Sequence, residues 1–312
     1  MKSLRYIFLF VMVLLMFSCK KFKGSQEIPA YLKIEPWTLT TNYDVEGAAT
    51  EAITDAWIYV DGNYLGCYEV KSHSDGIYAL APILEKGNKT IHLYPGVKQN
   101  GRSSTRIQYP FYQPYIFETT LNPGEIQTVA PATTYYDVNT TGVTFKLKED
   151  FEEINNIKLY RIDTTYDAQL EQISHRTNPN AWIDPLDTIN HYRSGHVHLG
   201  DTIRRFGLAS PELYGIPNQG DYVLMEMDYK CDADIEIGLY LWMPQEGLVT
   251  KQLYFLRPTD TWKKIYLNYS PTITDYYGAS YVKFYLKGTI NEGESADYYF
   301  DNIKLIYLDK KN

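Results

Sequence analysis

Apolar and polar residues change places at every second position through the back half of this chain, and that rhythm admits strands and little else. In VLMEMDY, Val223, Met225 and Met227 fall on one face while Leu224, Glu226 and Asp228 fall on the other; in VKFYLKG, Val282, Phe284 and Leu286 oppose Lys283, Tyr285 and Lys287. A period of two matches the pleat of a strand, in which successive side chains point to opposite faces. From Gly195 onward such runs (HVHLG, DYVLMEMDYKC, DIEIGLYLWMP, TKQLYFLRP, TWKKIYLNYSP, SYVKFYLKG, DYYFDNIKLIYL) follow one another between Gly, Pro, Asp or Asn turns. Two stacked antiparallel sheets, best arranged as a jelly roll, bury faces of this kind.

The front half predicts a smaller sandwich. AWIYVDGNYLGCYEV holds an Asp-Gly turn, Asp61-Gly62, between alternating stretches, a strong hairpin signal. Further turns are expected at Lys86-Gly87-Asn88 and Asn122-Pro123-Gly124, and no stretch keeps helical apolar spacing for more than two turns. The least patterned segment runs from Asp150 to Arg193; the polar start of DAQLEQISHRTNPNAWIDPLDTINHY is open to a short helix, which Pro179 and Pro185 would limit. The chain thus reads as all-β: a small N-terminal β-sandwich over 28–134, then a C-terminal antiparallel jelly-roll β-sandwich over 135–312.

The first amino acids address a compartment. MKSLRYIFLFVMVLLMFSC has basic Lys2 and Arg5, an apolar core too short to span a bilayer as a mature helix, and the small residue Ser18 before Cys19. It reads as a lipoprotein signal peptide over 1–18 with Cys19 acylated, followed by a tether over 19–27; an uncleaved N-terminal anchor is the alternative. Either places the remainder outside the cytoplasm, attached to a membrane. The formal charge of −8 becomes −10 once Lys2 and Arg5 are removed. Phosphate-backbone affinity comes mainly from Lys and Arg, so nucleic acid is excluded as a partner. Cys67 and Cys231 fall in separate predicted domains and are read as unbridged thiols, since a disulfide needs Cα atoms within about 7 Å.

Two resemblances follow from these residues. Val60, Asp61, Gly62 and Gly66, then Gly87, Ile91, Leu93 and Gly96, match the V-D-G-x-x-x-G and G-x-x-x-I-x-L elements of PEGA-like sandwich modules. The succession SGHVHLGDT, DYVLMEMDYK, GLYLWMP, LRPTDTWKKIYLNYSPTI and YYFDNIKLIY resembles the C-terminal module of a set of Bacteroidota outer-membrane lipoproteins. More broadly it is similar to jelly-roll carbohydrate-binding, laminin-G-like and galactose-binding-like modules. The resemblance implies an outer-membrane location, and lysines rather than acids after Cys19 imply the periplasmic face over the cell surface. It also implies a structural calcium at Asp301, at the position where such modules supply an oxygen ligand; a turn aspartate capping a strand end is the rival reading. No other cofactor is expected.

Reaction chemistry leaves little trace. There is no G-x-S-x-G elbow, no H-E-x-x-H and no framed Cys-His pair, so a non-catalytic protein is expected. His196 and His198 share a strand face at a spacing used by metal sites, with Asp201 or Glu212 as a third ligand, against the plainer reading of surface histidines. The loop GIPNQG, Gly215 to Gly220, reads as a turn. Thirty tyrosines suit half-buried sheet surfaces or aromatic platforms for a sugar or protein. The candidate binding residues are Tyr109, Phe111, Tyr112 and Tyr115, in the rigid YPFYQPY run, and Trp182; their rival role is packing against the second domain. The first functional expectation is an envelope assembly component acting through protein contacts, and the second is a carbohydrate-binding lipoprotein.

Overall fold

The computed structural model describes residues 27–154 and 156–308; Cys19, the signal peptide 1–18 and most of the tether lie outside them. Over those residues alternation becomes pairing. In the back half, one sheet runs in the order Glu171–Ser174, Arg193–Leu199, Ala296–Leu308, Val223–Cys231, Thr259–Asn268, with Val143–Glu149 pairing along the second half of Ala296–Leu308. The facing sheet runs Tyr160–Arg161, Arg205–Ala209, Tyr281–Thr289, Ile235–Met243, Gly247–Leu256. All of these pairings are antiparallel, and the two sheets form the expected jelly-roll sandwich. Between them lie Met225, Met227, Leu239, Phe284, Leu286 and Phe300, all buried. Each such side chain contributes about 1.5–3 kcal/mol by leaving water.

The front half stacks a four-stranded sheet (Ile126–Val129, Ala30–Ile34, Gly76–Ile83, Lys71–His73) on a five-stranded one (Asn63–Glu69, Asp55–Val60, Gly87–Lys98, Arg106–Gln108, with Tyr115–Leu121 also on Gly87–Lys98). Leu32, Ile34, Ala81, Ile58, Ile91 and Leu93 fill the space between. Asp61 and Gly62 turn the hairpin with φ of 47° and 81°, the left-handed pair that a two-residue connection needs. Two pairings are parallel, Ala30–Ile34 with Ile126–Val129 and Thr38–Leu39 with Ala132–Thr133.

The structure departs from the sequence reading at the polar start of DAQLEQ. Glu171–Ser174 is not helical; it pairs as an edge strand with Arg193–Leu199, and Leu170 packs on the core. A short polar segment gains too few hydrogen bonds to nucleate a helix, whereas a waiting strand edge satisfies its backbone at once. Cys67 and Cys231 stand unpaired, with burial pushing the thiols up to about 11 and about 12.

The two sandwiches meet through a buried polar knot. Glu226 is fully buried, and its carboxylate accepts from the hydroxyls of Tyr109 at 2.6 Å and Tyr135 at 2.8 Å. Lys264 Nζ lies 3.0 Å away and also donates to Thr50 Oγ1 at 2.7 Å. Lys304, equally buried, donates to the Ala48 carbonyl at 2.8 Å. Burial alone would raise the Glu226 acid, but Lys264 and Lys304 outweigh it and hold the carboxyl below its ordinary range. Main-chain bonds reinforce the joint, Asn100 N donating to Tyr266 O at 2.7 Å and Asn268 N to Asn100 Oδ1 at 2.8 Å.

Candidate functional site

The aromatic run offered as a binding surface, with packing against the second domain as its rival, is the inner wall of that joint. Tyr109, Phe111 and Tyr112 are buried, Tyr109 packing on Tyr266 at 4.9 Å and Tyr112 on Tyr135 at 4.9 Å between ring centroids. Their rings are therefore closed to a ligand, and their role is packing against the second sandwich. Tyr115 is half-buried against Phe117. Trp182 is half-buried too, but it borders a groove on the outer side of the six-stranded sheet.

The open aromatic surface lies elsewhere, at one end of the five-stranded sheet. Strand register sets Trp242 opposite Tyr281, both on the outward face, and their rings stack at 5.9 Å with planes 15° apart. Tyr214 meets Tyr281 edge-on at 5.5 Å, and its hydroxyl donates to Glu212 at 2.5 Å. Lys283 lies 3.8 Å from the other oxygen of Glu212, so the charges beside the platform pair with each other. Trp242 keeps 42%, Tyr214 53% and neighbouring Tyr277 73% of their surface in solvent. Rings of this size are seldom left so open, and a contiguous exposed aromatic patch marks an interaction site.

Tyr281 also belongs to the rim of a cleft of about 540 Å³, bounded by the 213–221 loop on one side and by Ile273, Tyr276 and Ala279 on the other. Gly215 and Gly220 bracket the loop with φ of 69° and 86°, where side-chain-bearing residues are strained. Asn218 Nδ2 donates to the Tyr277 carbonyl at 2.6 Å and ties the loop across the cleft. The sequence read Gly215 to Gly220 as a turn; in the structure the segment is an irregular loop with bends at both ends, and it forms the cleft wall. Asp221 is the one carboxylate among the lining residues.

The centre of the same sheet is closed by the chain itself. Ile162 N donates to the Gly207 carbonyl at 2.9 Å, and Ile162 packs on Ala209, Tyr240 and Tyr285. A Cβ on Gly207 would come within 2.8 Å of the Tyr166 ring, so glycine is what lets this cover lie flat.

The metal candidates resolve into hydrogen bonds. His196 Nε2 and His198 Nδ1 both reach the same oxygen of Asp297 at 2.8 Å; burial would raise that acid, but the two histidine bonds hold it low. Glu212 is engaged with Tyr214 and Lys283, which removes it as their third ligand. Asp301 is fully buried and accepts from Ser194 Oγ at 3.0 Å and from the Asn302 amide at 2.7 Å. Burial pushes its carboxyl well above the ordinary range, with Asp228 and Asp150 adding to the rise. Among the described residues no three His, Cys, Asp or Glu side chains are grouped to hold a metal ion, and Asp301 stands here as a buried, hydrogen-bonded acid.

No family model matches the chain, and no curated protein matches it. Among solved structures it is similar to one from a study of carbohydrate-binding modules of the β-sandwich superfamily, at 12% identity and a TM-score of 0.37, covering 84% of this chain and 88% of that one. It is similar to the C-terminal family 22 carbohydrate-binding module of a Clostridium thermocellum xylanase at 11% identity and a TM-score of 0.34, covering 54% and 95%. It also resembles the enzymatically active domain of a bacteriophage CBA120 tailspike protein, at 11% identity and a TM-score of 0.38 over 59% of this chain, but spans only 26% of that chain.

Proposed function

We propose that this protein is a non-catalytic carbohydrate-binding protein, which takes a neutral glycan into the cleft beside Tyr281 and stacks it on the Trp242–Tyr281–Tyr214 platform. The carrying observation is the juxtaposition itself: stacked, solvent-facing rings continuous with a cleft of about 540 Å³. A sugar ring presents an apolar C–H face and a rim of hydroxyls. Flat aromatic surfaces with a polar edge suit the first, and Asn218, Gln219 and Ser280 on the cleft wall suit the second. Glu212 and Lys283 neutralise each other beside the platform, so nothing there calls for a charged sugar.

Glycoside hydrolysis requires two carboxylates across the scissile bond, and the cleft lining supplies Asp221 alone. That supports binding over turnover. The assembly role expected first from the sequence rests on the short tether, the acidic charge and the absence of reaction motifs, none of which points to a surface, and it takes second place to the open platform and its cleft. Lipid attachment through Cys19 at the outer membrane belongs to the same reading and rests on the sequence signal.

Affinity electrophoresis through gels containing cellulose, xylan, galactan or mixed-linkage glucan tests the function. The intact chain is expected to be retarded by at least one polysaccharide, and Trp242→Ala to lose roughly tenfold in affinity, the scale of one stacked ring. Equal mobility of the wild type in all four gels refutes the reading.

A further inference from the structure

The groove beside Trp182 has the same ingredients on the opposite side of the sandwich. It measures about 350 Å³ and is bordered by Trp182, Trp262, Pro179, Lys230, Asp260 and Thr261. Asn180 is its keystone. Its backbone carbonyl accepts from Trp262 Nε1 at 2.9 Å, and its side-chain oxygen accepts from Lys230 Nζ at 2.7 Å. Trp182 N donates to Ser194 Oγ at 2.7 Å, and His175 Nδ1 sits 2.6 Å from the Ala181 carbonyl. The loop carrying Trp182 is thus pinned at Asn180, at the Ala181 carbonyl and at the Trp182 amide itself.

Two consequences follow for what the groove can hold. The one donor of Trp262 is spent inside the protein, so that residue offers a ligand its ring face. Behind it the indole is backed by rings: Tyr299, itself buried, lies 6.3 Å from Trp262, and His196 stacks on Tyr299 at 4.8 Å. Fixed indoles need no ordering when a ligand arrives, which lowers the entropy that binding must overcome. The lining holds one carboxylate, Asp260, and again lacks the pair that hydrolysis needs.

We infer that the Trp182–Trp262 groove is a second glycan-binding site, taking a neutral saccharide by stacking, so that one molecule grips carbohydrate on both outer faces of its jelly roll. The inference rests on the reading of the first cleft only for the ligand class; the groove is built from the other sheet. Two sites on a single rigid sandwich strengthen attachment to a polymer by roughly a hundredfold over one site, while leaving affinity for a short oligosaccharide at each site unchanged.

The test uses the full chain and the polysaccharide gels named above. Trp262→Ala and Trp242→Ala are each expected to weaken retention by about tenfold or more, and the double variant to migrate as in a gel without polysaccharide. Because Trp262→Ala also removes the bond to Asn180, Trp262→Phe and Trp182→Ala are measured beside it, each checked for an unchanged thermal midpoint. Trp262→Phe keeps a stacking face and is expected to retain more affinity than Trp262→Ala. If Trp242→Ala abolishes retention while folded Trp182→Ala and Trp262→Ala match the wild type, the second site is refuted and the first stands. If Trp262→Ala abolishes retention and Trp242→Ala does nothing, the groove stands and the first cleft falls. A wild type that no polysaccharide retards overturns both.

Discussion

Replacing Glu226 by glutamine changes one atom and should unfasten the joint between the sandwiches. The carboxylate faces Lys264 Nζ at 3.0 Å through one oxygen and the Tyr109 hydroxyl at 2.6 Å through the other, with Tyr135 in reach of both. An amide has a single acceptor oxygen. Turned towards Lys264, it sets an NH₂ against the Tyr109 hydroxyl; turned towards the tyrosines, it sets that NH₂ against an ammonium. A unit charge pair at this separation is worth about 5 kcal/mol at an effective dielectric near 20. Part of that is recovered if Lys264 sheds its proton, so the net loss should fall at about 3–5 kcal/mol, the range for a broken buried pair. Against a total stability of about 5–15 kcal/mol this leaves little reserve. Urea unfolding followed by far-ultraviolet circular dichroism at pH 7 measures it. Lys264 also faces Asp228 and Glu51, so it keeps counter-charges in Glu226→Gln; in a cycle with Lys264→Met the two single losses should fall short of additivity by at least about 1 kcal/mol, the part that belongs to the pair itself. A single-variant loss below about 1 kcal/mol, or a double variant whose losses add, would refute this account of the joint.

Three further outcomes follow from the same geometry. Burial, with Lys264 adding to it and Glu226, Asp228 and Glu46 opposing, lowers Lys304 from the ordinary lysine value of 10.5 to about 7. Between those values the unfolded chain holds a proton that the folded chain has released, so stability should rise from pH 7 to pH 9 by up to about 1.4 kcal/mol per unit; Lys304→Met should flatten that slope in urea midpoints, and parallel slopes would contradict the assignment. With both Asp301 oxygens taken by Ser194 and Asn302, EDTA is expected to leave the thermal midpoint unchanged; a fall of several degrees that added calcium restores would return Asp301 to the role of ligand. Cys19→Ala should abolish incorporation of labelled palmitate and move the protein out of the membrane fraction, and unchanged labelling would remove the lipoprotein reading.

The β class was legible because burial on one side of a sheet writes itself into the sequence at period two, as Val223, Met225 and Met227 show. The hairpin at Asp61-Gly62 was legible for a different reason, since few residues tolerate two successive left-handed conformations. The strand at Glu171–Ser174 was not, because what makes it a strand is the edge of Arg193–Leu199, distant in sequence. The knot at Glu226 was half legible: alternation put Glu226 and Asp228 on the face opposite Met225 and Met227, which in an isolated sandwich would be the wet face. Only the docking of the first sandwich makes that face dry.

That docking also explains why local aromatic density marks packing here and not a binding surface. YPFYQPY concentrates rings along the chain, yet a cluster contiguous in sequence can be spent wholly on one contact, and this one lies against Tyr266 and Glu226. The platform at the other end is assembled from Trp242, Tyr281 and Tyr214, on two strands and a loop, and no window of sequence contains it. One signal was present. Trp242 shares its parity with Glu236 and Tyr240, the outward side of Ile235–Met243, and a tryptophan among outward positions has no core to fill. Trp262 stands the same way beside Lys264 and Asp260, but there parity misleads for one neighbour: Lys264 is covered by the first sandwich while Trp262 stays at the groove. Outward parity is therefore a necessary mark of a binding ring, and the placement of the neighbouring sandwich decides which outward residues remain free to bind.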